Sequence, residues 1–172
     1  KWMDYNTVAI ENKDPEYKGI PQMLANAFIA IEDKRFATHY GVDWKRTFGA
    51  LINEFVPIYS SRQGGSTITQ QLIKNLTGEN GRTVSRKFFE ILNALNLEQN
   101  YSKKTIMEFY LNTAYLGNGC YGVKTAAEYY FGKDVKDLNA AECATISSIT
   151  QAPGALDPIA NFDANHERQQ YA

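Results

Sequence analysis

Apolar residues recur at every third or fourth position along most of the chain after residue 20, while strand-like alternation of apolar and polar residues is nearly absent. This spacing places apolar side chains on one face of an α-helix. Residues typical of helix N-caps precede several of these stretches, namely Asp43, Ser66, Ser102 and Asp137. We therefore predict a mostly α domain of about seven or eight helices, the first extending from about Pro21 to Arg35.

The composition limits the class of protein. Of the 172 residues, 44% are apolar and 22% are charged, which is typical of one globular domain and excludes disordered and collagen-like chains. The formal net charge of -1 provides no strong positive field, so we predict no nucleic-acid partner. The longest nearly apolar run, residues 21–31, is shorter than the roughly 20 residues that span a bilayer. Because Lys1 opens the chain without a signal-like segment, we expect a fragment of a longer protein.

Charges and cysteines add two local expectations. Residues 66–104 carry six basic and three acidic side chains, a balance of +3, which is either a solvated helix surface or a local anion site. Cys120 and Cys143 are too few for a disulfide scaffold and lack the spacing of zinc ligands. We expect both cysteines to pack in or beside the core.

The first candidate site is the segment EDKRFATHYGVD, residues 32–43, at the end of the first predicted helix. Glu32 continues the apolar face that Phe28 and Ile29 begin. A carboxylate on such a face is costly to ionise and is suited to general acid or base chemistry. The alternative is that Glu32 is a satisfied ion-pair or capping carboxylate. His39 alone is more typical of a residue that braces a loop.

The second candidate site is GGSTITQQLIKN, residues 64–75, where two glycines precede a helix that we expect to begin at Ser66. Helix N-termini bind anions through free backbone N–H groups. Gln71 and Lys74 are three residues apart and share a face, which suits a sugar phosphate or a pyrophosphate. The alternative is an ordinary capped amphipathic helix, and the spacing is not that of a Walker loop.

The third candidate site is RKFFE, residues 86–90, on a predicted helix from Thr83 to Asn100. Arg86 and Lys87 precede Glu90 by four and three residues, and surface pairs of this kind contribute only about 0.2–0.5 kcal/mol each. In a cleft, the same cations would stabilise negative charge and keep Glu90 ionised. We place Phe88, Ile91, Leu92 and Leu95 on the core face of this helix. Tyr115, in a fourth cluster, is a candidate wall for a sugar ring.

Taken together, the clusters resemble the ordered motifs of the family 51 glycosyltransferases, the peptidoglycan transglycosylase domains of class A penicillin-binding proteins and of monofunctional transglycosylases. The resemblance extends from about Pro21 to the end of the chain. It rests on AFIAIEDKRFATHYGVD (27–43), GGSTITQQLIKN (64–75), RKFFEILNALNLE (86–98), KKTIMEFYLNTAYLG (103–117) and TAAEYYFGKDVKDLNAAECA (125–144). This chain departs from the family pattern at Asn96, at Cys120 and in PGALDPIANFD (153–163).

The resemblance implies a fold and a site. The fold is a lysozyme-like large lobe with a smaller mobile jaw at about 45–80, in one glycosyltransferase domain covering residues 1–172 of a membrane-anchored protein. Glu32 is the implied general base, Asp33 braces the site, and Glu90 takes the second carboxylate role. The positions that bind phosphates and sugars are Ser66, Thr67, Gln71, Lys74, Arg82, Arg86, Lys87 and Tyr115.

The resemblance also implies the reaction. The acceptor is lipid II, whose GlcNAc 4-hydroxyl attacks C1 of the donor MurNAc with inversion. The donor is the growing glycan on undecaprenyl pyrophosphate. No tightly bound cofactor and no protein metal site are implied, although Mg²⁺ bridging the pyrophosphate would suit this chemistry. The location implied is the outer face of the bacterial cytoplasmic membrane, among other cell-wall synthesis proteins.

Membrane contact is expected through the jaw, which is rich in apolar residues: Phe48, Leu51, Ile52, Phe55, Val56, Ile58 and Tyr59. These residues would alternatively form a small core of the jaw. Two other functions remain open at this point. One is a lysozyme-like hydrolase or lytic transglycosylase with Glu32 as general acid, and the other is a non-catalytic module that binds lipid II or glycan.

Overall fold

The computed structural model describes residues 8–11, 19–55, 65–78, 81 and 83–172, with backbone only for residues 50–55. These residues form eight α-helices and a short 3₁₀ turn at Val135–Asp137. The helices are α1 (Gln22–Glu32), α2 (Trp44–Phe55), α3 (Ile68–Thr77), α4 (Val84–Asn100), α5 (Lys103–Thr113), α6 (Val123–Phe131), α7 (Ala140–Ile149) and α8 (Phe162–Gln169). The bridges in the described ranges are isolated ones, such as that between Tyr115 and Tyr121. The prediction of a mostly α domain is therefore confirmed.

The helices pack around one apolar core. α1 packs against α7, α3 packs between α4 and α5, and α8 lies on α7. The core includes the fully buried side chains of Phe28, Leu72, Leu111 and Ile146, which come from four of these helices. Phe28 meets the ring of Tyr110 edge-on, with ring centroids 5.9 Å apart. This packing fixes the C-terminus of α1 beside the N-terminus of α3.

Three helix boundaries differ from the predictions. α1 ends at Glu32 rather than near Arg35, because the backbone of Asp33 leaves the helix at φ -156°. Thr67, not Ser66, caps α3. Its hydroxyl accepts a hydrogen bond from the Gln70 N–H at 3.1 Å, and the Gln70 side-chain oxygen accepts one from the Thr67 N–H at 3.0 Å. The predicted cap Asp137 lies in the 3₁₀ turn, and Asn139 caps α7 instead.

The predicted core face of α4 is wrong. Phe88 and Leu92 are exposed, and the buried residues of this helix are Glu90 and Ala94, one turn apart. The inward face of α4 meets a polar cleft and the backbone at Gly41 rather than an apolar layer. The hydrophobic period therefore identified the helix correctly but not the face that is buried.

The prediction for the cysteines is confirmed, because Cys120 and Cys143 are both buried free thiols. Cys120 belongs to the apolar core together with Cys143. Burial, with a smaller contribution from Glu142, raises the pKa of the Cys143 thiol to about 11. Such a thiol stays protonated at neutral pH and behaves as a small apolar side chain.

Much of the predicted jaw lies outside the described residues. This applies to residues 56–64, and for residues 51, 52 and 55 only the backbone is described. Among the described residues of this region, Phe48 is exposed and its ring lies 6.2 Å from that of Trp44. No helix in the described part of the chain is long and apolar enough to cross a membrane.

Gly41 allows the loop after α1 to touch α4, and its replacement tests this contact. Its φ is +81°, and a Cβ at this position would lie 2.5 Å from the Ala94 carbonyl oxygen. We expect Gly41→Ala to lower the free energy of unfolding by about 3 kcal/mol and the melting temperature by roughly 6–12 °C. The control is Gly49→Ala on α2, where a Cβ would meet nothing within 4 Å. A Gly41→Ala protein that melts at the wild-type temperature would contradict this account of the contact.

Candidate active site

A cleft of about 680 Å³ opens between the end of α1, the start of α3 and the inner face of α4. Tyrosines 115 and 121 form part of its rim, with ring centroids 5.0 Å apart. The predicted site residues that line it are Glu32, Glu90, Ser66, Gln71, Lys74 and Tyr115. The structure thus brings both predicted carboxylates to one cleft, although they lie on different helices.

Glu32 is buried in the cleft wall and carries three hydrogen bonds. Its Oε1 accepts from Thr150 Oγ1 at 2.7 Å and from Arg168 Nη2 at 2.9 Å. Its Oε2 accepts from Gln71 Nε2 at 2.9 Å. Glu32 therefore faces inward as predicted, and its ion pair and hydrogen bonds match the alternative of a satisfied ion-pair carboxylate.

Asp33 joins the end of α1 to the start of α3. It is fully buried, and its Oδ2 accepts the backbone N–H of Ile68 at 3.0 Å. The same oxygen lies 2.8 Å from His39 Nε2, and Oδ1 lies 3.7 Å from the guanidinium of Arg46. A carboxylate at a helix N-terminus is favoured by the helix dipole. Asp33 and His39 hold the fold around Glu32 and do not line the cleft.

Gln71 connects Glu32 to the core. Its Nε2 donates to Glu32, and its Oε1 accepts from Tyr110 OH at 3.0 Å. Burial, followed by the nearby charges of Glu32 and Asp33, raises the pKa of Tyr110 well above its ordinary value. Tyr110 therefore stays a neutral donor and fixes which end of the Gln71 amide faces the carboxylate.

Two cations of α4 hold Glu90, which also lines the cleft. Arg86 Nη1 donates to Glu90 Oε2 at 2.6 Å, and the Lys87 ammonium donates to Glu90 Oε1. The same ammonium donates to Ser66 Oγ at 2.9 Å, which connects α4 to the loop before α3. Glu90 is buried, so these pairs differ from the solvated surface pairs considered above.

The remaining predicted residues fall into different places. Lys74 lines the cleft with an exposed side chain and has no ion-pair partner among the described residues. Thr67 is fully buried, and its hydroxyl donates to the Gly41 carbonyl oxygen at 2.6 Å, while its contact with substrate stays a prediction. Arg82 lies outside the described residues.

Sequence reasoning missed the partners of Glu32 from the C-terminal part of the chain. Thr150 and Arg168 are 118 and 136 residues away from Glu32. The spacing of residues within one helix or loop cannot indicate a contact between residues so far apart in the sequence. Tyr121 was also missed, although an aromatic residue within a glycine-rich turn is a signal for an exposed ring.

The described part of the chain contains no group of three or more His, Cys, Asp or Glu side chains arranged to hold a metal ion. The cleft instead combines two acidic residues with cations and exposed tyrosine rings. Buried carboxylates with different partners suit acid–base chemistry, and tyrosine faces suit sugar rings. The fold and the cleft therefore define a helical domain with a polar cleft suited to acid–base chemistry.

The comparison with protein families gives the assignment. The transglycosylase family matches residues 4–172, and the chain belongs to this family. It is 44% identical over 160 residues to penicillin-binding protein 1F of Bacillus subtilis (strain 168). The aligned residues cover 92% of this chain and 22% of that protein.

Other relatives give the same result. Identity is 43% over 155 residues to penicillin-binding protein 1A of Clostridium tetani (strain Massachusetts / E88), covering 88% of this chain and 20% of that protein. The chain is 45% identical over 151 residues to penicillin-binding protein 1A of Neisseria lactamica, and the aligned residues cover 88% of this chain and 19% of that protein. The chain thus spans about a fifth of the length of these relatives.

Proposed function

We propose that this domain is a peptidoglycan glycosyltransferase that polymerises lipid II into glycan strands. The observation that carries the proposal is the single cleft lined by Glu32 and Glu90, in which the first is held by one cation and the second by two. Membership of the transglycosylase family supports the same conclusion. The growing glycan on undecaprenyl pyrophosphate is the donor, and lipid II is the acceptor.

The proposed reaction needs one group that accepts a proton and other groups that stabilise the leaving pyrophosphate. Glu32 takes the proton from the acceptor 4-hydroxyl as that oxygen forms a bond to C1 of the donor sugar. The bond between C1 and the pyrophosphate oxygen breaks, and its electron pair leaves with the pyrophosphate. Lys74, which lines the cleft, and the Arg86–Lys87 pair, which binds the cleft residue Glu90, are the cations that we assign to stabilising this developing charge.

The partners of the two carboxylates favour transfer over hydrolysis. A hydrolase that cleaves an alkoxide-type leaving group needs a protonated carboxyl as general acid. Glu32 is instead ion-paired with the Arg168 guanidinium at 2.9 Å, and Lys74 lines the same cleft, where a cation suits a pyrophosphate leaving group that a hydrolase does not release. A non-catalytic lipid II or glycan module would need neither buried acid. Both alternatives are therefore less well supported than the transferase.

The discriminating experiment is product analysis after incubation of the protein with lipid II. A transferase yields glycan strands and undecaprenyl pyrophosphate. A hydrolase would instead shorten isolated glycan strands and leave lipid II unpolymerised, and a binding module would leave both substrates unchanged. Either of these last two results would overturn the proposed function. Running the assay with and without Mg²⁺ tests the further proposal that this cation assists at the pyrophosphate.

Lys74 gives a prediction about donor binding. We expect Lys74→Ala to weaken binding of a pyrophosphate-like ligand, such as a moenomycin-type inhibitor, by about tenfold, because a charge-assisted contact is lost. The protein should keep its melting temperature, since the side chain is exposed. Calorimetry on Lys74→Ala, with Lys124→Ala of the exposed surface of α6 as the control, measures the difference. Equal affinities for the two variants would remove Lys74 from the proposed donor site.

We also propose that the domain works at the outer face of the cytoplasmic membrane, alongside other cell-wall synthesis proteins, because its substrates are lipid-linked. The exposed rings of Trp44 and Phe48 on α2 support contact with a lipid surface. We expect Phe48→Glu to reduce flotation with anionic liposomes that contain lipid II. Phe162→Glu, at an exposed phenylalanine of α8, is the control and should float like the wild type. Equal flotation of wild type and Phe48→Glu would contradict contact through this ring.

A further inference from the structure

The two oxygens of the Glu32 carboxylate have different surroundings. Oε1 accepts two hydrogen bonds, from Thr150 and Arg168, while Oε2 accepts one, from Gln71. Each carboxylate oxygen has about two acceptor positions. Both acceptor positions of Oε1 are therefore filled, whereas Oε2 has one acceptor position left. Glu32 lines the cleft, so this position is available to a hydroxyl bound there.

Arg168 binds a second side chain besides Glu32. Its Nη1 donates to Gln151 Oε1 at 2.6 Å while its Nη2 donates to Glu32, and its buried Nε has no hydrogen-bond partner among the described residues. One turn earlier on α8, Asn165 is fully buried and donates to the Leu156 carbonyl oxygen at 2.8 Å. This contact anchors α8 on the rest of the fold.

Several other charged residues belong to the surroundings of Glu32, and most of them have partners of their own. Asp33 follows it on the chain and pairs with His39, and Arg46 from α2 faces Asp33 at 3.7 Å. Tyr110 from α5 reaches Glu32 through Gln71 and stays neutral. Lys74 and Glu90 line the same cleft, and the α4 cations Arg86 and Lys87 pair with Glu90. Within the described residues, Arg168 makes the direct ion pair with Glu32.

We infer that Arg168 and Thr150 form a clamp on Oε1 of Glu32, which makes Oε2 the oxygen that accepts the proton of the acceptor hydroxyl. This inference rests on the proposed function. Arg168 acts through Glu32 and is a positioning residue, not one that contacts substrate. Its ion pair and the Thr150 hydrogen bond fix the orientation of the carboxylate in the cleft. The C-terminal helix α8 is therefore part of the catalytic apparatus.

The inference predicts a pH effect as well as a loss of rate. In Arg168→Gln, kcat for lipid II polymerisation should fall by about tenfold or more, with KM nearly unchanged. Because the cation paired with Glu32 is gone, the acidic limb of kcat/KM should move to higher pH. Arg168→Lys should restore part of the lost kcat and return the acidic limb part of the way to its wild-type position. Thr150→Val, which loses one donor but no charge, should lower kcat without moving the limb as far.

A matched control lies on the same helix. Gln169 bonds Thr145 and Asn165 and does not touch Glu32, so Gln169→Ala removes an anchor of α8 while leaving the clamp in place. This variant should keep the wild-type pH profile. If Arg168→Gln and Gln169→Ala lose rate equally and both keep that profile, Arg168 only supports the fold and the inference is overturned.

A titration without substrate separates this inference from the proposed function. Carbon-13 NMR of labelled glutamate side chains follows ionisation of Glu32 directly, and Arg168→Gln should move its midpoint upward because the paired cation is gone. An unchanged midpoint would overturn the clamp even if the wild type polymerises lipid II. Conversely, a wild type that does not polymerise lipid II would overturn the proposed function, while the titration still decides the clamp.

Discussion

Replacement of Glu32 with glutamine is expected to lower the rate of lipid II polymerisation by a factor of about 10² to 10⁴, the usual contribution of a general base. Glutamine has nearly the same shape but cannot take up the proton of the acceptor hydroxyl. Folding should be retained, because the amide oxygen can still accept from Thr150 or Arg168 at the site of Oε1. Single-turnover assays with melting curves on the same samples measure both effects.

The control for this prediction is Glu128→Gln, at an exposed glutamate of α6. It removes the same charge from the chain without entering the cleft and should polymerise lipid II at the wild-type rate. A Glu32→Gln protein whose activity stays within about tenfold of wild type would rule out Glu32 as the general base.

Replacement of Glu90 with glutamine should have the second-largest effect, a loss of about tenfold to a hundredfold that is smaller than the loss for Glu32→Gln. The change removes the acceptor for Arg86 and Lys87 but leaves the base in place. The two cations lose their fixed orientation, so donor binding should weaken and KM should rise with the fall in kcat. Steady-state kinetics with lipid II give both constants.

The two glutamate variants therefore differ in kind. A Glu90→Gln protein that loses more activity than Glu32→Gln, at unchanged affinity for a pyrophosphate-like ligand, would contradict the role of Glu90 in holding the cations. Equal losses in the two variants would show that the carboxylates act as a unit, which separate roles do not predict.

The helices could be predicted from the sequence because periodicity and caps are local. Ser102 caps α5 as predicted, and Ile106 and Tyr110 are buried in the core. The buried face of α4 could not be predicted, since its apolar residues Phe88 and Leu92 face outward and Glu90 faces the cleft. Where a helix lines a polar site, the position of the apolar residues no longer indicates the buried side.

The site shows the same division between local and distant information. The i+3 and i+4 spacing correctly brings Lys87 and Arg86 to Glu90, because those contacts lie within one helix. The ion pair of Glu32 depends on how α8 lies on α7, which no spacing in the sequence records. An expectation based on the apolar face of α1 alone therefore left out the charge that holds the carboxylate.

The central claim is that Glu32 is the general base and that Glu90 organises the cations, and the pH dependence of kcat/KM for lipid II tests it most directly. This constant reports ionisation in the free enzyme. The wild type should show an acidic limb that disappears in the residual activity of Glu32→Gln and persists, shifted, in Glu90→Gln. If the limb instead persists in Glu32→Gln and disappears in Glu90→Gln, the two roles are reversed and the account is contradicted.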